Sequence, residues 1–294
     1  MSFLRKAAVP GSWYPGTADA LARAVEGHLA RAHVSPAQDV DPLVALIAPH
    51  AGLMYSGPVA AHAYSLLRGR SFEVIVLVGP SHFVGFDGVS IVSSGGFETP
   101  LGVAEIDEAC AHAIAAASPI VREHQPPHVR EHSLEMQLPF VQHLAPGTRI
   151  VPLVMGWQSA QTARALGDAL AAGLAGRRAL LVASTDLSHY HDAATAGRLD
   201  RVVIDHVSRF DPDGLQQALD RTPDHACGGG PTVAVMRAAK ALGARDAIVL
   251  NYADSGDVSG DKSSVVGYLG AALGTRADQR LHHGGHRGHG DQIP

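Results

Sequence analysis

The chain of 294 residues has only two cysteines, Cys110 and Cys227. Two thiols cannot build the disulfide framework of a small secreted module, so the expected setting is reducing and cytoplasmic. No apolar run approaches the roughly 20 residues that cross a bilayer, and the opening stretch MSFLRKAAVPGSWYPG has no apolar signal core. Neither a membrane partner nor export is expected. Charge is sparse too: Asp, Glu, Lys and Arg make up 17% of the chain and the formal net charge is -5. That excess is ordinary for a soluble chain. No basic stripe with interleaved aromatics occurs, which argues against a nucleic-acid partner. Internal repeats and long linkers are also missing.

What the chain does have is apolar residues, 46% of the total, enough for a core without covalent staples. They fall into short aliphatic runs at 43–48, 73–79, 89–94, 149–156, 179–185, 247–252 and 264–273. Between them lie helical patterns such as TADALARAVEGHLARA, PVAAHAYSLLRG, IDEACAHAIAAAS, HSLEMQLPFVQHLA, AQTARALGDALAAGLAG and PTVAVMRAAKALG. Near-continuous apolar strands alternating with helices predict one α/β domain, its largely parallel central sheet covered by helices. That domain is expected over residues 1–274. The His/Gly-rich stretch 275–294, ending LHHGGHRGHGDQIP, is expected to be a disordered tail.

Two strands end alike. IAPHAG follows the first and VGPSHF the second, each setting a histidine, His50 and His82, just past a proline. Beyond the carboxyl ends of strands is where open α/β sheets collect ligands, and loops on a rigid scaffold carry function. Imidazole is a common transition-metal ligand and thiolate a soft anionic one. His50, His82 and Cys227 are therefore a candidate metal set with open positions. The plain alternative is two hydrogen-bonded loop histidines and an inert thiol. Cys227 precedes GGGPTVAVMRAAKALG, a helix start that favours thiolate and anions, so an activated nucleophile is another reading. Cys110, in an alanine-rich helical pattern, reads as a small core residue.

STDLSHYH ends a third strand. Asp186 and His189 are close enough in sequence to share one pocket, with His189 suited to general acid–base work; the alternative for Asp186 is a turn cap. In REHSLEMQLPF, His132 and Glu135 are predicted one helical turn apart on a shared face, lining the pocket or supporting the ligands. Glu131, on the same side as Glu135, has the same two readings, pocket support or an acidic helix start matched to its dipole, and for Glu131 the two stand level. The helix start is the alternative for His132 and Glu135 as well. Trp13 and Tyr14, in a turn-rich stretch, are expected to pack over a sheet edge; the alternative is a lid over a substrate.

PGSWYPG, APHAG, GPSH, EHSLEMQLPF, STDLSHY and ACGGGP, in this order from about Val9 to Leu273, resemble the Memo (mediator of cell motility) family, which includes bacterial AmmeMemoRadiSam system protein B. That family is similar in fold to the class III extradiol ring-cleavage dioxygenases. The resemblance implies metal positions at His50, His82 and Cys227, and further pocket residues at Asp186 and His189, with His189 in the acid/base place. It implies Fe(II), with copper as the alternative and a metal-free isolated protein as the third case. A cysteine stands where the dioxygenases have a carboxylate; thiolate is softer and is oxidisable. The implied function is metal-dependent redox or dioxygenase-like chemistry on a small molecule. The alternative is a non-catalytic binding or scaffold protein that takes a peptide or anionic ligand in the same pocket. A radical-SAM system partner is implied by the family name alone.

Overall fold

The computed structural model describes residues 3–35 and 38–276. Apart from its first two residues, the predicted tail lies outside the described residues. The chain begins with β1 (Leu4–Arg5), α1 (Ala18–Arg31), β2 (Val40–Ala48), α2 (Leu53–Ser65) and β3 (Val74–Pro80). An irregular middle follows: β4 (Val89–Ile91), β5 (Gly96–Thr99), β6 (Gly102–Glu105), α3 (Glu108–Ala117), β7 (Val121–Glu123), α4 (Pro126–Val129) and α5 (Leu138–Leu144). Next come β8 (Arg149–Met155), α6 (Ala160–Gly173), β9 (Ala179–Ser184), β10 (His189–His191), α7 (Ala193–Ser208) and α8 (Pro212–Arg221). The described chain closes with α9 (Gly229–Ala241), β11 (Asp246–Asp254), α10 (Gly256–Ser259) and β12 (Val265–Arg276).

The main sheet runs β10-β12-β2-β9-β3-β8-β4-β7, with β11 also paired to β12. Its four central strands, β2, β9, β3 and β8, are parallel. Their residues are almost all wholly buried, as strands covered on both faces must be. The flanks differ from a uniformly parallel sheet. Strand β12 runs antiparallel to β2, β10 and β11, and β4 runs antiparallel to β8. The short turn carrying α10 between β11 and β12 explains one of these, since a direct reversal gives an antiparallel pair. A small second sheet, β1-β5-β6, brings the N-terminus onto the middle of the chain.

Topology assigns the covering helices. The β2–α2–β3 connection steps one way along the sheet and β8–α6–β9 steps the other. Right-handed crossovers therefore put α2 and α6 on opposite faces. Helix α1 buries Leu21, Val25 and Leu29, a single stripe at four-residue spacing, and packs with α2. Helix α9 packs on α6 on the other side and is buried almost throughout. Side-chain caps from Asp107, Ser159, Asp192 and Asp211 start α3, α6, α7 and α8, each worth about 1 kcal/mol. Helices α7 and α8 fall in a stretch where no helix was predicted.

One predicted helix is shortened. Residues 132–134 form a turn and Glu135–Gln137 a single 3-10 turn, and α5 begins only at Leu138. Side-chain bonds compete with the helix here: the Glu131 carboxylate accepts the Ser133 N–H at 2.9 Å, and the Ser133 hydroxyl donates to the Pro80 carbonyl at 3.0 Å. Pro139 then sits in the first turn of α5, where a missing N–H costs nothing.

Candidate metal centre

The parallel strands aim their loops at one place. His50 lies two residues beyond β2, His82 two beyond β3 and Asp186 two beyond β9. His132 arrives from the irregular turn before α5. One ligand atom from each of His50, His82 and His132 lies within 4.8 Å of the others. The His82 and His132 rings stack with centroids 4.4 Å apart, and His50 meets both edge-on at 5.2 and 5.6 Å.

Two of the three imidazoles are held from behind. His50 Nδ1 is 2.9 Å from the Ser184 hydroxyl, which also donates to the Ser133 carbonyl at 2.6 Å. The Glu131 carboxylate grips His82 twice, at the backbone N–H (2.7 Å) and at Nδ1 (2.8 Å). These contacts occupy the Nδ1 atoms of His50 and His82 and leave Nε2 of each as the remaining donor atom, as the partners of metal-ligating histidines do. Burial, with His82 nearby, pushes His50 down to about 3; burial, with His50 and His82 nearby, pushes His132 to about 3. Both are neutral donors at ordinary pH. Burial alone would raise Glu131, but hydrogen bonds from His82 and Ser133 outweigh it and hold the carboxyl at about 2.

Cys227 adjoins the cluster from the loop before α9. Its Sγ is 3.2 Å from His50 Nε2, accepts the Asp186 N–H at 3.3 Å, and faces the Asp186 carbonyl at 3.6 Å. Gly228 fits here because a Cβ would come within 2.4 Å of the Ser184 carbonyl. The sequence pattern suggested a helix start that favours thiolate. The structure reverses this: burial, reinforced by the Asp186 carboxylate, pushes the thiol far up, so it is protonated unless a cation is beside it. Asp186 accepts the His50 N–H at 2.7 Å, and burial raises its carboxyl to about 6. His189 does not touch the cluster directly. It shares with Cys227 the wall of a 430 Å³ cavity bounded also by Tyr190, His191, Pro223, Asp224 and Ala226.

His50, His82 and His132 thus come together as a three-histidine group that does not include Cys227; Cys227 and Asp186 lie against His50, and His189 shares the cavity wall with Cys227. Glu135 is engaged elsewhere. Its buried carboxylate binds Arg5, the Tyr14 hydroxyl and the N–H groups of Ala8 and Val9, because the turn at 132–134 breaks the shared helical face that would have aimed it beside His132. Trp13 lies with its ring 4.4 Å from that of His132 rather than only over a sheet edge. Glu131, for which the sequence left a supporting role and a helix-start role level, orients His82 from 49 positions away. Two contacts had no signal in the sequence: Ser184 on His50, and Trp13 against His132.

The fold and the cluster define an α/β protein with three histidines gathered beyond the carboxyl ends of its parallel strands, in an arrangement that could hold a metal ion. The Memo-like protein family matches residues 5–272. A MEMO1 family protein of Methanothermobacter thermautotrophicus is 39% identical over 272 residues, 90% of this chain and 98% of its own. One from Methanopyrus kandleri is 38% identical over 277 residues, covering 90% and 96%. One from Pyrobaculum aerophilum is 42% identical over 227 residues, covering 76% and 80%. This chain belongs to the Memo family. Among the described residues no helix is long and apolar enough to cross a membrane.

Proposed function

We propose that the chain is a metalloprotein whose mononuclear site is built on His50, His82 and Cys227, with His132 in reach as a further donor. The observation that carries this reading is the convergence of three imidazole ligand atoms within 4.8 Å, two of the rings turned Nε2-inward by Ser184 and Glu131. Cys227 Sγ, 3.2 Å from His50 Nε2, is as near as two donors of one ion need be. Nitrogen and sulfur donors suit Fe(II) or copper better than a hard cation. Such an ion, when bound, supplies open positions for a small molecule and for redox chemistry.

The chain's own groups provide the rest. Asp186 holds the His50 backbone and restrains the sulfur through its own main chain. His189, on the cavity wall beside Cys227, binds or moves a proton on a ligand seated there. Metal analysis of anaerobically purified protein tests the assignment: stoichiometric metal in wild type, lost in His50→Ala/His82→Ala. Metal retained in that double variant would refute it.

A second reading is a binding pocket without turnover for a peptide or anionic ligand. Phe83 and Tyr190, each directly after a pocket histidine, are 51% and 79% exposed, and exposed aromatics beside a cleft suit ligand capture. Oxygen uptake with small phenolic substrates under Fe(II) separates the two, since uptake abolished in His189→Ala excludes a pure binder.

A further inference from the structure

The N-terminal segment touches two of the three histidine-bearing loops, those of His132 and His50, and reaches the third through Glu131. Arg5 is 2% exposed, and its guanidinium is directed on every side. Nε donates to the His128 carbonyl at 3.0 Å, Nη2 to the Glu131 carbonyl, and Nη1 pairs with the Glu135 carboxylate. The Glu131 carbonyl belongs to the residue whose side chain grips His82. Glu135 returns the connection by accepting from Ala8 N–H (2.8 Å), Val9 N–H (3.1 Å) and the Tyr14 hydroxyl. Between those anchors Trp13 lies on His132, and its carbonyl accepts the Leu53 N–H at 2.8 Å, three residues past His50.

A buried ion pair is weak support for stability, because an apolar pair of similar volume often does as well. Its value here lies in direction. A guanidinium offers donors in a rigid fork, which lysine cannot reproduce. That fork fixes the His128 carbonyl at the end of α4 and the Glu131 carbonyl at the start of the turn that carries His132. We infer that Arg5 and Glu135 are positioning residues for the imidazole cluster: Arg5 sets the turn that carries Glu131 and His132, and Glu135 holds the segment that presses Trp13 onto His132. The inference rests on the metal reading for its ligand but not for the arrangement of the rings.

The test uses Arg5→Met and Glu135→Gln in a Trp157→Phe background, leaving Trp13 as the sole tryptophan of the two. Co(II) is the probe, read by affinity and by its visible ligand-field bands; Trp13 emission of the metal-free protein is read separately. Expected are a fall in Co(II) affinity of about 10- to 100-fold, altered bands, and red-shifted emission as the ring leaves His132. Leu166→Ala, a buried core truncation in α6, controls for lost stability and should keep wild-type affinity, bands and emission. If Arg5→Met does not fold, Glu135→Gln and Tyr14→Phe decide. Wild-type affinity, bands and emission in the folded variants would overturn the inference. Absence of Co(II) binding in the wild type would count against the metal reading alone, and Trp13 emission would then decide this one.

Discussion

Acidification should unfold the metal-free protein through its buried histidines. Burial pushes His50, His128 and His132 each down to about 3, from 6.5. Below 6.5 the unfolded chain therefore takes up protons that the folded chain refuses, and stability falls as pH falls. Glu131, held at about 2 against 4.5, adds to the loss lower down. Asp186 opposes it: raised from 3.8 to about 6, it binds a proton in the folded state first and gains stability as pH falls through that window. Between about pH 5.5 and 4.5 the balance is roughly two protons in favour of the unfolded chain, or about 3 kcal/mol per pH unit. A whole domain is stable by only about 5–15 kcal/mol, so the effect is large. Urea midpoints measured from about pH 7 down to about pH 5 should fall steeply. His128→Phe, which keeps a ring against Phe97, should roughly halve the slope. A flat profile over that range would refute the claim that these imidazoles are buried and neutral.

Four other outcomes follow from the geometry. Glu131→Gln should lower metal affinity by about 10- to 100-fold by loosening His82, measured by competition with a chromophoric chelator. Cys227 in metal-free protein should resist iodoacetamide near neutral pH, because burial and Asp186 raise its thiol; rapid labelling there would contradict the raised value. Cys110, raised to about 11 by burial in α3, should stay unlabelled until the protein unfolds, as denaturant-dependent labelling would show. Gly228→Ala should cost about 1–3 kcal/mol by overpacking against the Ser184 carbonyl, read as a lower urea midpoint.

The central strands were legible because burial on both faces writes them as unbroken aliphatic runs, and their ends were legible because proline, glycine and histidine interrupt those runs. That sufficed to predict His50, His82 and Asp186 beyond neighbouring strand ends in one α/β domain. The flanks were less legible: β12 carries the same aliphatic pattern as a parallel strand, and its direction depends on a pairing partner far away in sequence. The pattern at 132–134 predicts helix where the structure has a turn, because propensity outweighs side-chain bonds when the partners, Pro80 and His82, cannot be seen. For the same reason His132 became a full member of the cluster, Glu135 an anchor for the N-terminus, and the thiol of Cys227 a half-buried group beside a carboxylate. Strand and loop identities follow from local pattern, whereas protonation, orientation and the second layer of hydrogen bonds depend on distances that only packing creates.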